Sequence, residues 1–382
     1  MKKNYLIPHH INKKVYKYKL YYNTYNRYMS LADINQDIDI CLLNYITDTC
    51  DFDIEDVSKL IYEALKECNK YYTYDIINKR LESIKNYRRE LNILLQLPLM
   101  KQRSEEWFEA RKTRLTASDL YDAVKGGNIS IKLAKKKANI ITDNINYNAI
   151  PALKWGTMFE PMATRCYSQK MNNINIHDFG LICDVDNTHF GASPDGINEL
   201  GIMLEIKCPY SRKIIDGVIP DKYRMQIQGQ LAVCKLKECD YIECIFKSIE
   251  SKEDYLELGD TIINHGIIAE FYNSKGEYVY YYSDPNKTPK ECIEEMINNR
   301  DYHDINDDEK KILKFSKYTY WKLDEMIIQR VTFNSEAWET IIPKINNFWE
   351  TVEEYKLLPI ELGIKKYMFV NDDNDDDEPK NK

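Results

Sequence analysis

Two hydrophobic periods alternate along the chain. Val57, Leu60, Ile61, Ala64 and Leu65 recur at helical spacing from Ile54 onward, and Ile77, Leu81, Ile84, Leu91 and Leu94 repeat the pattern between Tyr74 and Leu97. These stripes predict a small helical region ahead of residue 96, with an arm of little periodicity at Tyr5–Met29. Helical stretches are also expected at Glu105–Lys112, from near Thr116, at Trp155–Lys170 entered through Gly156, at Asp221–Leu236, at Pro289–Arg300 and at Ser335–Leu357. Between them, strands are expected at Ile176–Asp184, His189–Ser193, Ile202–Lys207 and Asp240–Phe246, with a hairpin of Ile262–Phe271 and Glu277–Tyr282 closed near Gly276.

One stretch adds chemistry to this pattern. Phe190 to Ser211 reads FGASPDGINELGIMLEIKCPYS. In SPDG, Pro194 presets φ and Gly196 is expected to take a positive φ, which puts Asp195 at a bend. Ile202, Leu204 and Ile206 alternate with Met203, Glu205 and Lys207, so Glu205 and Lys207 share a strand face. A hairpin would bring Asp195 beside them. Magnesium takes one or two protein carboxylates and completes its shell with water and phosphate oxygens. Asp195 and Glu205 suit that role, with the Ile206 carbonyl between them as a further ligand. Lys207 would hold or polarise an attacking water and neutralise charge at a scissile phosphate. Such parts suit metal-dependent phosphodiester hydrolysis.

Asp195, Glu205 and Lys207 resemble the signature of the PD-(D/E)XK nuclease superfamily. Three further words, RSEEWFEARKTRLTAS (Arg103–Ser118), KWGTMFEPMA (Lys154–Ala163) and YRMQIQGQLAVC (Tyr223–Cys234), narrow the likeness to the bacteriophage lambda exonuclease and YqaJ viral recombinase family. The resemblance is good over residues 97–247. It implies an α/β fold with a restriction-endonuclease-like mixed central sheet flanked by helices, preceded by the helical region 1–95. The nuclease domain would run over 96–360, with an acidic, disordered tail at 371–382.

By the same resemblance Glu160 is the first acidic motif, completing or supporting the metal site, and Gln226 sits beside the scissile phosphate. Arg111, Ser118 and Ser193 match a pocket for a DNA 5′-phosphate. An arginine fork beside a helix N-terminus serves a terminal phosphate well, though an ordinary surface arginine and helix cap would give the same local sequence. The implied cofactor is Mg²⁺, with Mn²⁺ as a substitute. The implied activity is 5′-to-3′ degradation of one strand of duplex DNA for recombination or repair. The implied partners are double-stranded DNA ends, a single-strand annealing protein and further copies of the chain in a trimeric ring. A structure-specific endonuclease and an inactive DNA-end scaffold are the alternatives. Asp186 is a secondary acidic candidate, and His189 is expected to be structural, since no metal-ligand spacing accompanies it.

Composition changes this picture in two places. The 382 residues carry a net charge of −8, unusual for a protein that binds DNA. Half of it lies in Asn371–Lys382, where six acids face two lysines, while Lys101–Ile150 has ten basic and six acidic residues. Clustering matters more than the total, so Lys132–Lys137 is expected to be either a solvated helix face or a track for the DNA backbone. Ten cysteines lack a framework or cluster spacing, as expected of reduced thiols inside a cell. No apolar run is long enough to span a bilayer and the start lacks a signal-peptide pattern, so the expected location is intracellular; the resemblance to viral recombinases implies a viral or phage-derived origin, with a host cytoplasm or virion as the setting.

Overall fold

The computed structural model describes residues 31–46, 52–98, 100, 102, 104–141, 150–274, 276–298 and 313–357. The arm at 5–29 and the acidic tail fall outside these residues. Two compact units divide the chain at Arg89/Glu90.

In the first unit lie α1 (Leu31–Leu42), α2 (Ile54–Glu67) and most of α3 (Tyr74–Leu95). Asp53 caps α2 by accepting from the Asp56 amide at 3.0 Å. Val57, Ile61 and Leu65 form its buried stripe, whereas Leu60 points outward. The buried ion pair of Arg80 and Asp39, with two 2.7 Å hydrogen bonds, fixes the register of α3 against α1.

Along the second unit, α4 (Glu105–Lys112) is capped by Ser104, whose hydroxyl accepts from the Trp107 amide at 3.2 Å. There follow β1 (Leu115–Thr116), a 3₁₀ turn over Ala117–Asp119, α5 (Leu120–Lys125), α6 (Gly127–Lys137) and α7 (Pro151–Lys170). Gly156 lies inside α7, not at its entrance. Pro151 occupies the first turn of α7, where a missing amide costs nothing. Next come β2 (Ile176–His177), β3 (Ile182–Cys183), β4 (Phe190–Ala192), β5 (Gly196–Asn198) and β6 (Met203–Lys207). The chain continues through α8 (Asp221–Cys234), β7 (Glu238–Ile249), α9 (Lys252–Leu256), β8 (His265–Tyr272) and β9 (Tyr278–Tyr282). It closes with α10 (Pro289–Ile293), β10 (Lys314–Thr332) and α11 (Ser335–Lys356).

Seven strands form a sheet in the order β2-β5-β6-β7-β10-β8-β9, in which β6 and β7 are parallel and the other pairs antiparallel. A smaller sheet has the order β1-β4-β3. Helices cover both faces of the large sheet. On one, Met203, Cys239, Tyr241 and Val331 pack with Ile227 and Leu231 of α8 and with Ile345 and Phe348 of α11. On the other, Phe159 of α7 stacks on Phe246 of β7 at 4.6 Å and meets Trp321 of β10 edge-on. The expected α/β fold with a mixed sheet between helices is therefore the fold observed.

Two departures from the sequence reading bear on the site. The 19-residue strand β10, which joins β7 to β8, was not expected. The SPDG bend is also not the hairpin turn. Gly196 is absent from the positive-φ glycines and already belongs to β5; the chain reverses at Gly201, whose φ is +78°. Gly196 is needed because β2 lies against it: a Cβ there would sit 2.6 Å from Ile176 Cγ2. Pairing of Gly196 with Leu204 then places Asp195 alongside Glu205.

Candidate active site

A pocket of about 200 Å³ opens at the C-terminal end of β6. Nine residues singled out in the sequence line it: Arg111, Ser118, Glu160, Ser193, Asp195, Glu205, Ile206, Lys207 and Gln226. Gln102, Trp107, Thr116, Ala117 and Gln230 complete the lining.

The acidic end is built on β6. Glu205 is completely buried. Its Oε1 accepts from Gln226 Nε2 at 2.7 Å and pairs with Lys207 Nζ at 2.5 Å, and its Oε2 accepts from Gln230 Nε2 at 2.8 Å. The helical period of α8 delivers both glutamines to one carboxylate. Gln228 points away, bonding the Thr332 carbonyl and the Asn334 amide that join β10 to α11. Asp195 Oδ2 accepts from the Ile206 amide at 2.7 Å.

Charge is crowded here. Burial, then Glu205 and Glu160, hold the Asp195 carboxyl well above the usual carboxylate range, against the pull of Lys207 and the Ile206 amide. Burial alone would lower the pKa of Lys207, but Glu205 and then Asp195 outweigh it, and the net shift is upward. Lys207 is thus held as an ammonium: a donor and counter-charge, not a base. Its Nζ also lies 4.7 Å from the centre of the Tyr223 ring.

The opposite end is cationic. Arg111 lies over the Trp107 ring at 4.3 Å and donates through Nη2 to Thr116 Oγ1 at 3.3 Å and Ser118 Oγ at 3.2 Å. Trp107 Nε1 donates to Ser193 Oγ at 3.1 Å, so the indole ties α4 to the SPDG segment. Gln102 adds a second tie, donating to the carbonyls of Phe179 and Pro194. Gly229 lets the 3₁₀ turn bearing Ser118 approach α8, since a Cβ there would stand 3.0–3.3 Å from Leu120, Phe190 and Ala117.

Lys137 departs from both expectations for the lysine run, while Lys132 is exposed and Lys135 and Lys136 are half-buried. Lys137 is buried, neither solvated nor available to DNA, and it donates to the Arg111 carbonyl at 3.0 Å while pairing with Asp119 at 3.2 Å. Asp119 in turn accepts from Thr116 Oγ1 at 3.1 Å. Burial would raise the Asp119 carboxyl, yet Lys137 and Arg111 together bring it below its ordinary value. Lys137→Met should therefore leave a partly buried carboxylate without its main counter-charge, at a cost of roughly 1–3 kcal/mol. Thermal melts should register that loss. An unchanged melt would dismiss this support.

Asp186 lies outside the pocket, in an exposed turn where its amide bonds Asp184 Oδ1 at 3.0 Å. His189 stacks on Trp349 at 4.6 Å, a packing role. Cys234, Cys239 and Cys244 are buried. Among the described residues, no group of three or more His, Cys, Asp or Glu side chains forms a ready-made metal cage. Magnesium needs less, and the carboxylate pair fits it. Each carboxylate oxygen has two lone pairs, and the three donors to Glu205 use three of four, leaving one on Oε2. Burial, and after it the negative field of Glu205 and Glu160, raises Asp195, and that field is the kind a divalent cation offsets.

The mixed sheet and its flanking helices set Asp195, Glu205 and Lys207 at one pocket. Residues 106–237 match the family model of the YqaJ-like viral recombinase domain. An uncharacterized protein of Acanthamoeba polyphaga mimivirus is 26% identical over 367 residues, covering 84% of this chain and 65% of the relative. A protein of African swine fever virus is 29% identical over 187 residues, covering 38% of this chain and 50% of the relative. The chain thus spans about two-thirds of the one relative and half of the other. Among solved structures, an alkaline exonuclease (LHK-Exo) from Laribacter hongkongensis aligns with a TM-score of 0.41 at 20% identity, over 66% of this chain and 93% of that one. No helix among the described residues is long and apolar enough to cross a membrane.

Proposed function

We propose that the chain is a metal-dependent deoxyribonuclease that degrades one strand of duplex DNA from its 5′ end and leaves single strands for recombination or repair. The observation that carries this reading is a pocket that joins a cation-lined end, Arg111, Ser118 and Ser193, to the carboxylates and ammonium of Asp195, Glu205 and Lys207. An internal cut needs no receptor for a terminal phosphate.

Asp195, Glu205 and the Ile206 carbonyl, with Glu160 alongside, would hold Mg²⁺ or Mn²⁺. The cation, when bound, supplies Lewis acidity and lowers the pKa of water. Arg111 and Ser118 grip the terminal phosphate by charge-assisted hydrogen bonds and set the position of the next phosphodiester. Lys207 donates to the attacking water or to the phosphate oxygens, where negative charge grows. Gln226, which donates to Oε1 of Glu205, positions water and phosphate beside Lys207. An annealing protein as partner and a ring of three copies accompany this reading as family traits, and solution mass would check the second.

The test uses linear duplexes with 5′-phosphate or 5′-hydroxyl ends beside closed circular DNA, each with Mg²⁺ or EDTA. Loss of the 5′-phosphorylated strand with Mg²⁺ only, and an intact circle, is the expected result. A cut circle would replace this reading with an endonuclease, and end binding without hydrolysis would replace it with a scaffold.

A pH dependence follows from Asp195. Protons compete with the cation for a carboxyl whose pKa is raised, so apparent Mg²⁺ affinity should fall as pH falls toward that pKa. The effect on stability has the opposite sign. With the folded pKa above the unfolded one, the ionised carboxylate burdens the fold above the folded pKa, and the burden lifts as pH drops through it. Without added metal, mild acidification should therefore raise the melting temperature relative to Asp195→Asn. Parallel curves for the two proteins would refute the assignment.

A further inference from the structure

Gln230 holds a place that the proposed chemistry does not use. Its side chain is 1% exposed and lies in the pocket wall between the two ends. The single carboxamide nitrogen has two protons and two acceptors: Glu205 Oε2 at 2.8 Å and the Ser193 backbone carbonyl at 3.4 Å. A carboxamide is planar, so a shift of one acceptor turns the whole group and moves the proton aimed at the other.

Ser193 is also the point that the cationic end reaches. Its hydroxyl accepts from Trp107 Nε1, and Trp107 lies under the Arg111 guanidinium. A continuous path of contacts therefore runs Arg111, Trp107, Ser193, Gln230, Glu205. Gln226 stands off this path, because its carboxamide donates to the other oxygen of Glu205, Oε1. The carboxamide oxygen of Gln230 adds an independent sign. It is buried and has no hydrogen-bond donor among the described residues. A buried acceptor left unpaired is costly, so its donor is expected from whatever fills the pocket, a water or the substrate.

We infer that Gln230 is the positioning residue through which occupancy of the phosphate-binding end is transmitted to the catalytic carboxylate Glu205. The inference rests on the nuclease reading above and adds a specificity device to it. A phosphate seated on Arg111, Ser118 and Ser193 fixes the Ser193 segment, the Ser193 carbonyl fixes the carboxamide, and the carboxamide fixes the Glu205 rotamer. A 5′-hydroxyl end leaves the Ser193 segment less constrained. End recognition then affects the rate of cleavage as well as binding.

The test compares the full-length wild type with Gln230→Met, which keeps length and volume but lacks the donor. For each, kcat and KM are measured on duplexes with 5′-phosphate and 5′-hydroxyl ends, and end affinity is measured by fluorescence anisotropy with Ca²⁺ in place of Mg²⁺. The expected variant is slower on both substrates, but the ratio of kcat on phosphate to kcat on hydroxyl ends falls by on the order of 10-fold, with little change in affinity for the phosphorylated end. Ser118→Ala should show the reverse split, chiefly a higher KM. In the double variant the losses in kcat/KM should be less than multiplicative, because Ser118 accepts from Arg111, the head of the path. An equal loss on both substrates would make Gln230 merely structural and overturn the inference, as would an unchanged ratio or multiplicative losses. A wild type without Mg²⁺-dependent hydrolysis or without end preference overturns the nuclease reading itself, and this inference with it.

Discussion

Lys207→Ala should reduce phosphodiester hydrolysis by about 10²–10³-fold while the protein still folds and still binds DNA ends, because it removes a preorganised donor aimed at developing charge. Two features make this the largest expected effect on activity. Lys207 is the cation bonded to Glu205, and the charges of Glu205 and Asp195 keep it protonated. The fold should survive because Gln226 and Gln230 still hold both oxygens of Glu205. Lys207→Arg should not restore the rate. A planar guanidinium is wider than an ammonium, and the tip here is confined by Glu205 and the Tyr223 ring. Single-turnover rates with saturating enzyme separate the chemical step from binding. A Lys207→Ala protein within tenfold of wild type would remove Lys207 from the mechanism.

The sequence and the structure part company where long-range packing decides. Asp195, Glu205 and Lys207 were legible because their chemistry is local: a strand period puts two of them on one face, and the third precedes the paired strand. Gly196 serves a purpose different in kind from the expected one. A glycine after Pro-Asp suggests a turn, but here the small residue makes room for Ile176, twenty residues earlier. Gly156 suggested a helix start and instead lies within α7. Strand β10 was missed because charged residues break its apolar run, and Phe315, Asp324 and Glu325 are exposed along it. Its aromatic and β-branched residues were the available signal. Lys137 belongs to a run that reads as a solvated face or a DNA track, and only its burial and pairing with Asp119 show otherwise for this one lysine. Gln230 was visible as the residue one helical turn beyond Gln226. Gln102 had no local signature, since its partners lie at Phe179 and Pro194.

Arg330→Met should have the largest effect on stability, a loss of about 3–5 kcal/mol, because it strips the cation from two buried carboxylates at once. Arg330 of β10 bonds Asp240 through Nε at 2.6 Å and Nη2 at 3.2 Å, and Glu238 through Nη1 at 2.5 Å. Asp240 is 2% exposed and Glu238 is 5% exposed, so water does not replace the lost partner. Methionine fills much of the volume, which separates the charge effect from a cavity. In a unit of this size the loss corresponds to a melting temperature lower by roughly 10 °C. The effect should also reach the pocket. Asp240 accepts from Tyr167 of α7 at 2.7 Å, Tyr167 accepts from Asn198 of β5 at 3.1 Å, and Asp240 pairs in register with Leu204 of β6. The network therefore pins the strands that set Asp195 beside Glu205. Replacing the carboxylates as well, in Glu238→Gln, Asp240→Asn, Arg330→Met, should recover part of the loss, since no buried charge is then left unpaired. If the single variant melts within about 2 °C of wild type, the network is an ornament of the sheet and the strands are held by packing alone.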